Sequence, residues 1–514
     1  MPESNIDISP INNFFKGKSI FITGATGFIG KVLLEKLLRL YGQQIRRIFI
    51  LCRPKRNKSP LQRIHEDILN EPIFEKIKDI NKKQCSNLFD KIHIISGDVS
   101  EENLGMSMED WHRLVNDPVS VVFHSAATVK FDEPLKRALT LNLVATHNII
   151  RLCRNLGPSL ASLVHVSTAY VNCDHTEASV PIKETIYPLR ENPAKLIELT
   201  KWMDESTMQT LRDALLDKRP NTYTYSKAMA EKLIAEEASD LPVAIVRPSI
   251  VIAAWREPIR GWVDNLNGPT GLLLAIGKGL LRTMQVDRKN RADIVPVDVV
   301  VNTMISVAWK TAQTYQINKC IGYGLSESIK SLESVDTQKD DSLVGHETRN
   351  IVKIYHCTTS RMNPITWGNM EDLFFPVIRM YPSCQILRYP YGSFKRSYYH
   401  DMVTKFFVHI LAAYLMDLIL WLSGKKPIVR YIYKRLHQAV RSLKYFTNYS
   451  FDFDDTNLKE LIKSMNHADA KDLQIDITGL NWHSFWHDYT LGARRFVLKE
   501  GHNTLPEARQ CLKK

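Results

Sequence analysis

The feature that most restricts what this chain can become is the octapeptide Thr23-Gly-Ala-Thr-Gly-Phe-Ile-Gly30. Glycines at this spacing are common by chance. Here they follow a short apolar run, Ser19-Ile-Phe-Ile-Thr23, and open a segment with helical periodicity, Lys31-Val-Leu-Leu-Glu-Lys-Leu-Leu-Arg-Leu40. Strand, glycine turn and helix in that order make a dinucleotide-binding unit. Gly24 permits the tight turn, Gly27 lets backbone approach a pyrophosphate that faces the helix N-terminus, and Gly30 allows close helix–strand packing. Thr23, Gly24, Thr26, Gly27, Phe28, Ile29 and Gly30 are therefore assigned to the cofactor. Further apolar runs at 47–51, 92–95, 120–124, 163–166 and 243–246 are mostly separated by helical patterns. Continuous apolar strands alternating with helices predict an α/β fold, a Rossmann-type doubly wound parallel sheet covered on both faces.

The end of the second strand bears on which dinucleotide binds. NAD sites usually place a carboxylate there for the ribose hydroxyls. This chain has Leu51-Cys-Arg-Pro-Lys55 instead, and Arg53 can grip a 2′-phosphate bidentately where a carboxylate would repel it. NADPH is favoured; the alternative is that Arg53, Lys55 and Arg56 form a solvated basic loop. Asp98 and Val99, after the third strand, fit an adenine contact. Ser125 and Ala126, after the fourth, fit small residues beneath the cofactor.

Tyr223-Thr-Tyr-Ser-Lys227 places a Tyr and a Lys on one helix face. A phenol titrates near 10 and a nearby ammonium favours its ionised form, so Lys227 is expected to lower the pKa of Tyr223 and to hold the nicotinamide ribose. Tyr225 has the wrong spacing. Ser167 and Thr168 end the strand that leads to the crevice, where a hydroxyl can steady an oxyanion. Thr168 is favoured over Ser167, and both could instead be local backbone caps.

These residues resemble the extended short-chain dehydrogenase/reductase superfamily. The resemblance narrows to the alcohol-forming fatty acyl-CoA reductases through Pro220-Asn-Thr-Tyr-Thr-Tyr-Ser-Lys227, Arg247-Pro-Ser-Ile-Val251, Glu257-Pro-Ile-Arg-Gly-Trp262, Asn265-Leu-Asn-Gly-Pro-Thr-Gly-Leu272 and Asn363-Pro-Ile-Thr-Trp367. It covers most of residues 15–500. It implies reduction of a long-chain acyl-CoA to a primary alcohol with two NADPH, with Thr168, Tyr223 and Lys227 catalytic and with Pro248 and Ser249 at the cofactor. It also implies a peroxisomal or endoplasmic-reticulum membrane with the catalytic domain facing the cytosol. An aldehyde-releasing reductase, a sugar-nucleotide epimerase or dehydratase, and a non-catalytic dinucleotide-binding protein stay open as alternatives.

Length and composition set the remaining bounds. A chain of 514 residues exceeds one average domain. Its hydrophobic fraction of 44% and charged fraction of 24% exclude wholesale disorder and a polytopic membrane bundle. Eight cysteines without a Cys-x-x-Cys pair argue against a disulfide scaffold or a structural zinc site. The formal charge of +13 could face an anionic cofactor or a membrane, or be scattered over a solvated surface. No nucleic-acid motif is visible, so no nucleic-acid partner is expected. The N-terminal residues lack a signal-peptide pattern, and the C-terminal RQCLKK is neither a peroxisomal nor a retrieval signal.

The expected organisation is an N-terminal tail (1–15), a reductase domain (16–322), a polar linker or insertion (323–350) and a mainly helical C-terminal domain (351–514). That last domain holds the apolar run Phe-Phe-Val-His-Ile-Leu-Ala-Ala-Tyr-Leu-Met-Asp-Leu-Ile-Leu-Trp-Leu at 406–422. Seventeen residues is short for a span, and Asp417 inside it is costly unless paired. Seven Lys or Arg and no acid follow between 425 and 446, a composition suited to an anionic leaflet. A buried core helix, an interfacial helix and a true span are the three readings of this run.

Overall fold

The computed structural model describes residues 9–55, 57–177, 179–332 and 351–513. Seven strands form the main sheet: β1 (Ser19–Thr23), β2 (Arg47–Cys52), β3 (Ile92–Ser96), β4 (Val119–His124), β5 (Ser162–Val166), β6 (Val243–Pro248) and β7 (Lys353–Cys357). Their spatial order is β7-β6-β5-β4-β1-β2-β3, and every pairing is parallel. The first six follow the apolar runs of the sequence. β1, β4, β5 and β6 are buried along their whole length, which is why they read as continuous rather than alternating apolar segments. The order reverses between β1 and β4, and that switch point opens the crevice at their C-terminal ends.

Six helices matter below: α1 (Pro10–Phe15), α2 (Phe28–Tyr41), α3 (Thr222–Glu237), α4 (Val297–Leu332), α5 (Tyr398–Leu422) and α6 (Val429–Asn448). Three of the expected boundaries differ from the structure. The tail is helical from Pro10. Ser9 caps α1, Ile11 and Phe15 are fully buried, and the Phe15 ring stacks on Tyr41 at 4.8 Å. Residues 1–8 lie outside the described residues. The expected linker begins inside α4, which runs to Leu332, and its remainder (333–350) also lies outside the described residues. Beyond it, β7 returns to pair with β6, so the sheet is completed from the far side of the expected domain border. The alternation in Lys353-Ile-Tyr-His-Cys357 carries that strand, with Ile354 facing one apolar layer and Tyr355 and Cys357 the other.

α5 and α6 form a hairpin. Only 17% of the apolar stretch of α5 is buried, so it is not a core helix. Its buried positions, Asp401, His409, Ala413 and Asp417, recur at multiples of four and face the protein. Asp401 accepts from Thr283 Oγ1 at 2.8 Å and pairs with Lys405. His409 Nε2 accepts the Arg282 N–H at 3.0 Å, which leaves Nδ1 to donate to His437 Nε2 at 3.1 Å. Asp417 accepts the N–H groups of Val429 and Arg430 at the start of α6, and pairs with Arg430 Nε at 3.0 Å. The outward side carries Phe406, Phe407, Leu411, Leu415, Leu418, Ile419 and Leu422, all exposed.

Candidate active site

β1 and β4 end side by side, with Thr23 and His124 in register across the seam. Thr23 Oγ1 lies 2.8 Å from His124 Nδ1 and accepts the Ala126 N–H at 3.3 Å. Burial, with the charge of Lys227 nearby, pushes the His124 imidazole down to about 3, so it is neutral at physiological pH. One polarity satisfies every group. Thr23 donates to Nδ1, Nε2–H points to Thr146 Oγ1 at 3.5 Å, and Thr146 donates to the Asn142 carbonyl at 2.7 Å. Ser125 Oγ donates to the Thr23 carbonyl at 2.8 Å.

The glycine turn has the shape a dinucleotide needs. Gly24 sits at φ +76°, and a Cβ there would lie 2.7 Å from the Ala126 nitrogen. A Cβ at Gly30 would lie 2.1 Å from the Gly24 carbonyl oxygen, so side chains are excluded where α2 passes the turn. Gly27, by contrast, is exposed. It caps α2 without a side-chain hydrogen bond, and no acid lies in the first turn. The uncapped N–H groups of that turn thus have the arrangement that favours an anion. Thr26, Phe28 and Ile29 are half-buried around it, with Phe28 stacked on Trp262 at 5.5 Å. Arg53 reaches Asp98 across the ends of β2 and β3 at 3.1 Å. Burial raises the Asp98 carboxyl, but hydrogen bonds from Ser100 and from Arg53 outweigh it and hold the pKa below the usual carboxylate range. Val99 packs beside it, half-buried.

Asn221 caps α3 by accepting the Thr224 N–H at 2.9 Å, which fixes Tyr223 in the first turn and Lys227 one turn later. Lys227 is buried and donates to the Val166 carbonyl at 2.7 Å. Of the two candidate hydroxyls, Thr168 is the one close enough to Tyr223 to act on its phenol. Its hydroxyl also accepts the Tyr170 N–H at 3.3 Å. The Ser167 hydroxyl is buried with no hydrogen-bond partner among the described residues. Burial pushes the Tyr223 phenol up to about 12, only partly offset by Thr168, and the lowering expected from Lys227 is not among the causes. Burial likewise pulls the Lys227 ammonium down to about 8 against the opposing charge of Glu231. Tyr223 is thus held as a protonated acid. Pro248 and Ser249 are buried at the same edge, at the end of β6, with the Ser249 N–H donating to the Cys357 carbonyl at 3.1 Å.

Two neighbours had no signal in the sequence. Phe131 stacks on Tyr223 at 5.8 Å and meets Phe446 of α6 at 5.4 Å, so a helix more than two hundred residues downstream closes one side of the site. Asn142 donates to Ser226 Oγ at 2.9 Å and accepts the Thr128 N–H, tying α3 to the loop after β4.

A family model of the NAD-binding part of the male sterility proteins matches residues 22–304, and a second male sterility model matches 408–500. Fatty acyl-CoA reductase 1 of Rattus norvegicus is 38% identical over 98% of this chain and 89% of its own length. Fatty acyl-CoA reductase 2 of Mus musculus is 36% identical over 99% and 90%. The chain belongs to the fatty acyl-CoA reductase family. It is an oxidoreductase with a nicotinamide dinucleotide cofactor, so the epimerase and non-catalytic readings fall away. Among solved structures, the terminal R domain of the myxalamid pathway aligns with a TM-score of 0.56 over 93% of this chain and 91% of its own, at 19% identity. A Mycobacterium tuberculosis nonribosomal peptide synthetase R domain aligns with a TM-score of 0.52 over 93% and 95%, at 17% identity. Both share the fold.

Proposed function

We propose that this reductase converts long-chain acyl-CoA to the primary alcohol and CoA, using NADPH, with its catalytic domain held against a membrane surface. The placement of Thr168 next to Tyr223, beside the glycine turn and a Lys227 fixed by the Val166 carbonyl, carries the reading. The dinucleotide, when bound, supplies hydride. Thr168 and Tyr223 hold the substrate's carbonyl oxygen as it gains negative charge. Collapse of the hemithioacetal expels CoA thiolate and leaves an aldehyde, and Tyr223 donates the proton that, together with a second hydride at the carbonyl carbon, completes the alcohol. Lys227, fixed by Val166, would orient the cofactor ribose and stabilise the phenolate that Tyr223 becomes after donating its proton. Arg53 takes the 2′-phosphate in exchange for its present partner Asp98.

The membrane reading rests on α5, whose polar groups are satisfied inward and whose apolar side points outward. Because α6 returns to the site at Phe446, the pair fits a helix hairpin lying in the interface better than a single span. The deciding test is mass spectrometry of lipid products from purified protein, NADPH and acyl-CoAs of graded length. Fatty alcohol is expected. Aldehyde alone would leave the first reduction and remove the second, and no product at any length would overturn the reading.

A further inference from the structure

The polar side of α6 carries Arg430, Lys434, His437 and Arg441, at intervals of four, three and four. That spacing puts all four on one stripe. Together with Ile410 and Tyr414 of α5 they line a cleft of about 370 Å³ between the two helices. Arg430 is neutralised by Asp417 and lies over the Tyr414 ring at 5.1 Å. Lys434 and Arg441 have no carboxylate partner in any described ion pair, and both are exposed at the cleft. One wall is therefore cationic. The other continues without a break into the outward apolar side of α5, where Leu411, Leu415 and Leu418 are each exposed by about half.

A ligand that satisfies both walls is anionic at one end and apolar along the rest. We propose that the cleft seats the phosphate headgroup of an anionic phospholipid, with its acyl chains along the outward side of α5. This rests on the membrane-surface reading above. The bilayer is favoured as the source because the apolar wall leads outward. A thioester substrate must instead place its carbonyl at Tyr223, beyond Phe446 at the opposite end of α6. The cleft also holds the headgroup at the depth where exposed cations attract an anionic leaflet.

The test is co-sedimentation of the full chain with phosphatidylcholine vesicles and with vesicles holding roughly 30 mol% phosphatidylserine, an anionic lipid. Each cation near an anionic surface strengthens binding about fivefold, so Lys434→Gln with Arg441→Gln should weaken binding to anionic vesicles about 25-fold. Binding to neutral vesicles should not change. Lys425→Gln with Lys426→Gln, in the hairpin turn outside the cleft, should weaken it several-fold less. Equal losses in the two pairs would mean diffuse attraction and overturn the site. Equal binding of the wild type to both vesicle types would overturn it too, while leaving the membrane reading intact. No binding to either type would end both. Release from anionic vesicles by soluble CoA, abolished in the Lys434/Arg441 variant, would assign the cleft to the substrate's phosphates and overturn the lipid proposal. Thermal unfolding of each variant checks that the fold is kept.

Discussion

Lys227, His124 and Thr168 sit inside a sheet-and-helix enclosure, and their buried polar atoms are answered by Val166, Thr23 and Tyr170. Asp401, His409 and Asp417 of α5 are answered as fully, by Thr283, Arg282 and the first turn of α6. The difference lies on the far side of each element. Behind α3 lies an apolar layer of the core, with Met229, Leu233 and Ile234 buried. Behind the polar groups of α5 lie Leu415 and Ile419, exposed by 53% and 62%. Satisfying polar groups inward thus serves two surroundings. It tunes proton affinity in the crevice, and in the hairpin it leaves an uninterrupted apolar exterior that water alone would not favour.

The contrast can be broken at several points. Tyr223→Phe removes the acid but little volume. Turnover should fall by roughly 10²–10⁴-fold while NADPH affinity, measured by fluorescence titration, stays nearly constant. Loss of NADPH binding would make Tyr223 structural. On the other side of the comparison, Leu415→Asp with Ile419→Asp should weaken binding to neutral vesicles by on the order of 10²–10⁴-fold, the value of two buried aliphatic side chains. Turnover in detergent should persist, and unchanged vesicle binding would deny the exterior its role.

Arg53→Asp should reduce the preference for NADPH over NADH by roughly tenfold to a hundredfold, the worth of a charged hydrogen bond. An unaltered ratio of kcat/KM values would free Arg53 from the cofactor. The crevice also predicts a pH profile. Lys227 titrates at about 8 and is charged below that value, whereas Tyr223, at about 12, stays protonated throughout. Turnover should therefore hold below pH 8 and fall above it, approaching about tenfold per pH unit. A profile flat to pH 10 would contradict this. The smallest effect is expected at Asp417→Asn, which keeps the shape but removes a charge from the start of α6, worth about 0.5–2 kcal/mol. Amide exchange at Val429 and Arg430 should speed up with kcat in detergent unchanged, and slower exchange would show that the charge strains the hairpin.

The crevice was legible because its parts are local. Gly24, Gly27 and Gly30 lie within one octapeptide, and Tyr223 and Lys227 lie one turn apart on α3. The two candidate hydroxyls, Ser167 and Thr168, likewise lie at the end of a single strand. What escaped the sequence depends on distant chain. β7 follows a polar stretch that reads as a border, and only its pairing with β6 makes it part of the sheet. Phe131 and Phe446 meet over Tyr223 from segments with no shared pattern. The pKa of Tyr223 is set by burial, which is not written in a Tyr–Lys spacing. The apolar run of α5 was ambiguous for a related reason. Composition gives its hydrophobicity, but only the structure tells which side Asp417 faces.

Helix α1 is fastened to a segment more than 450 residues downstream. Ser9 Oγ donates to Asp469, and the Ile11 N–H points to the same carboxylate at 3.4 Å. At translation speeds of about 5–20 residues per second, α1 leaves the ribosome tens of seconds before its partner is made. During that interval Ile11 and Phe15 must be kept from other apolar surfaces. The edge of β6 likewise waits, unpaired, for β7. Chaperone demand during synthesis should therefore peak before residue 353 emerges, even though most of the catalytic groups have already been made.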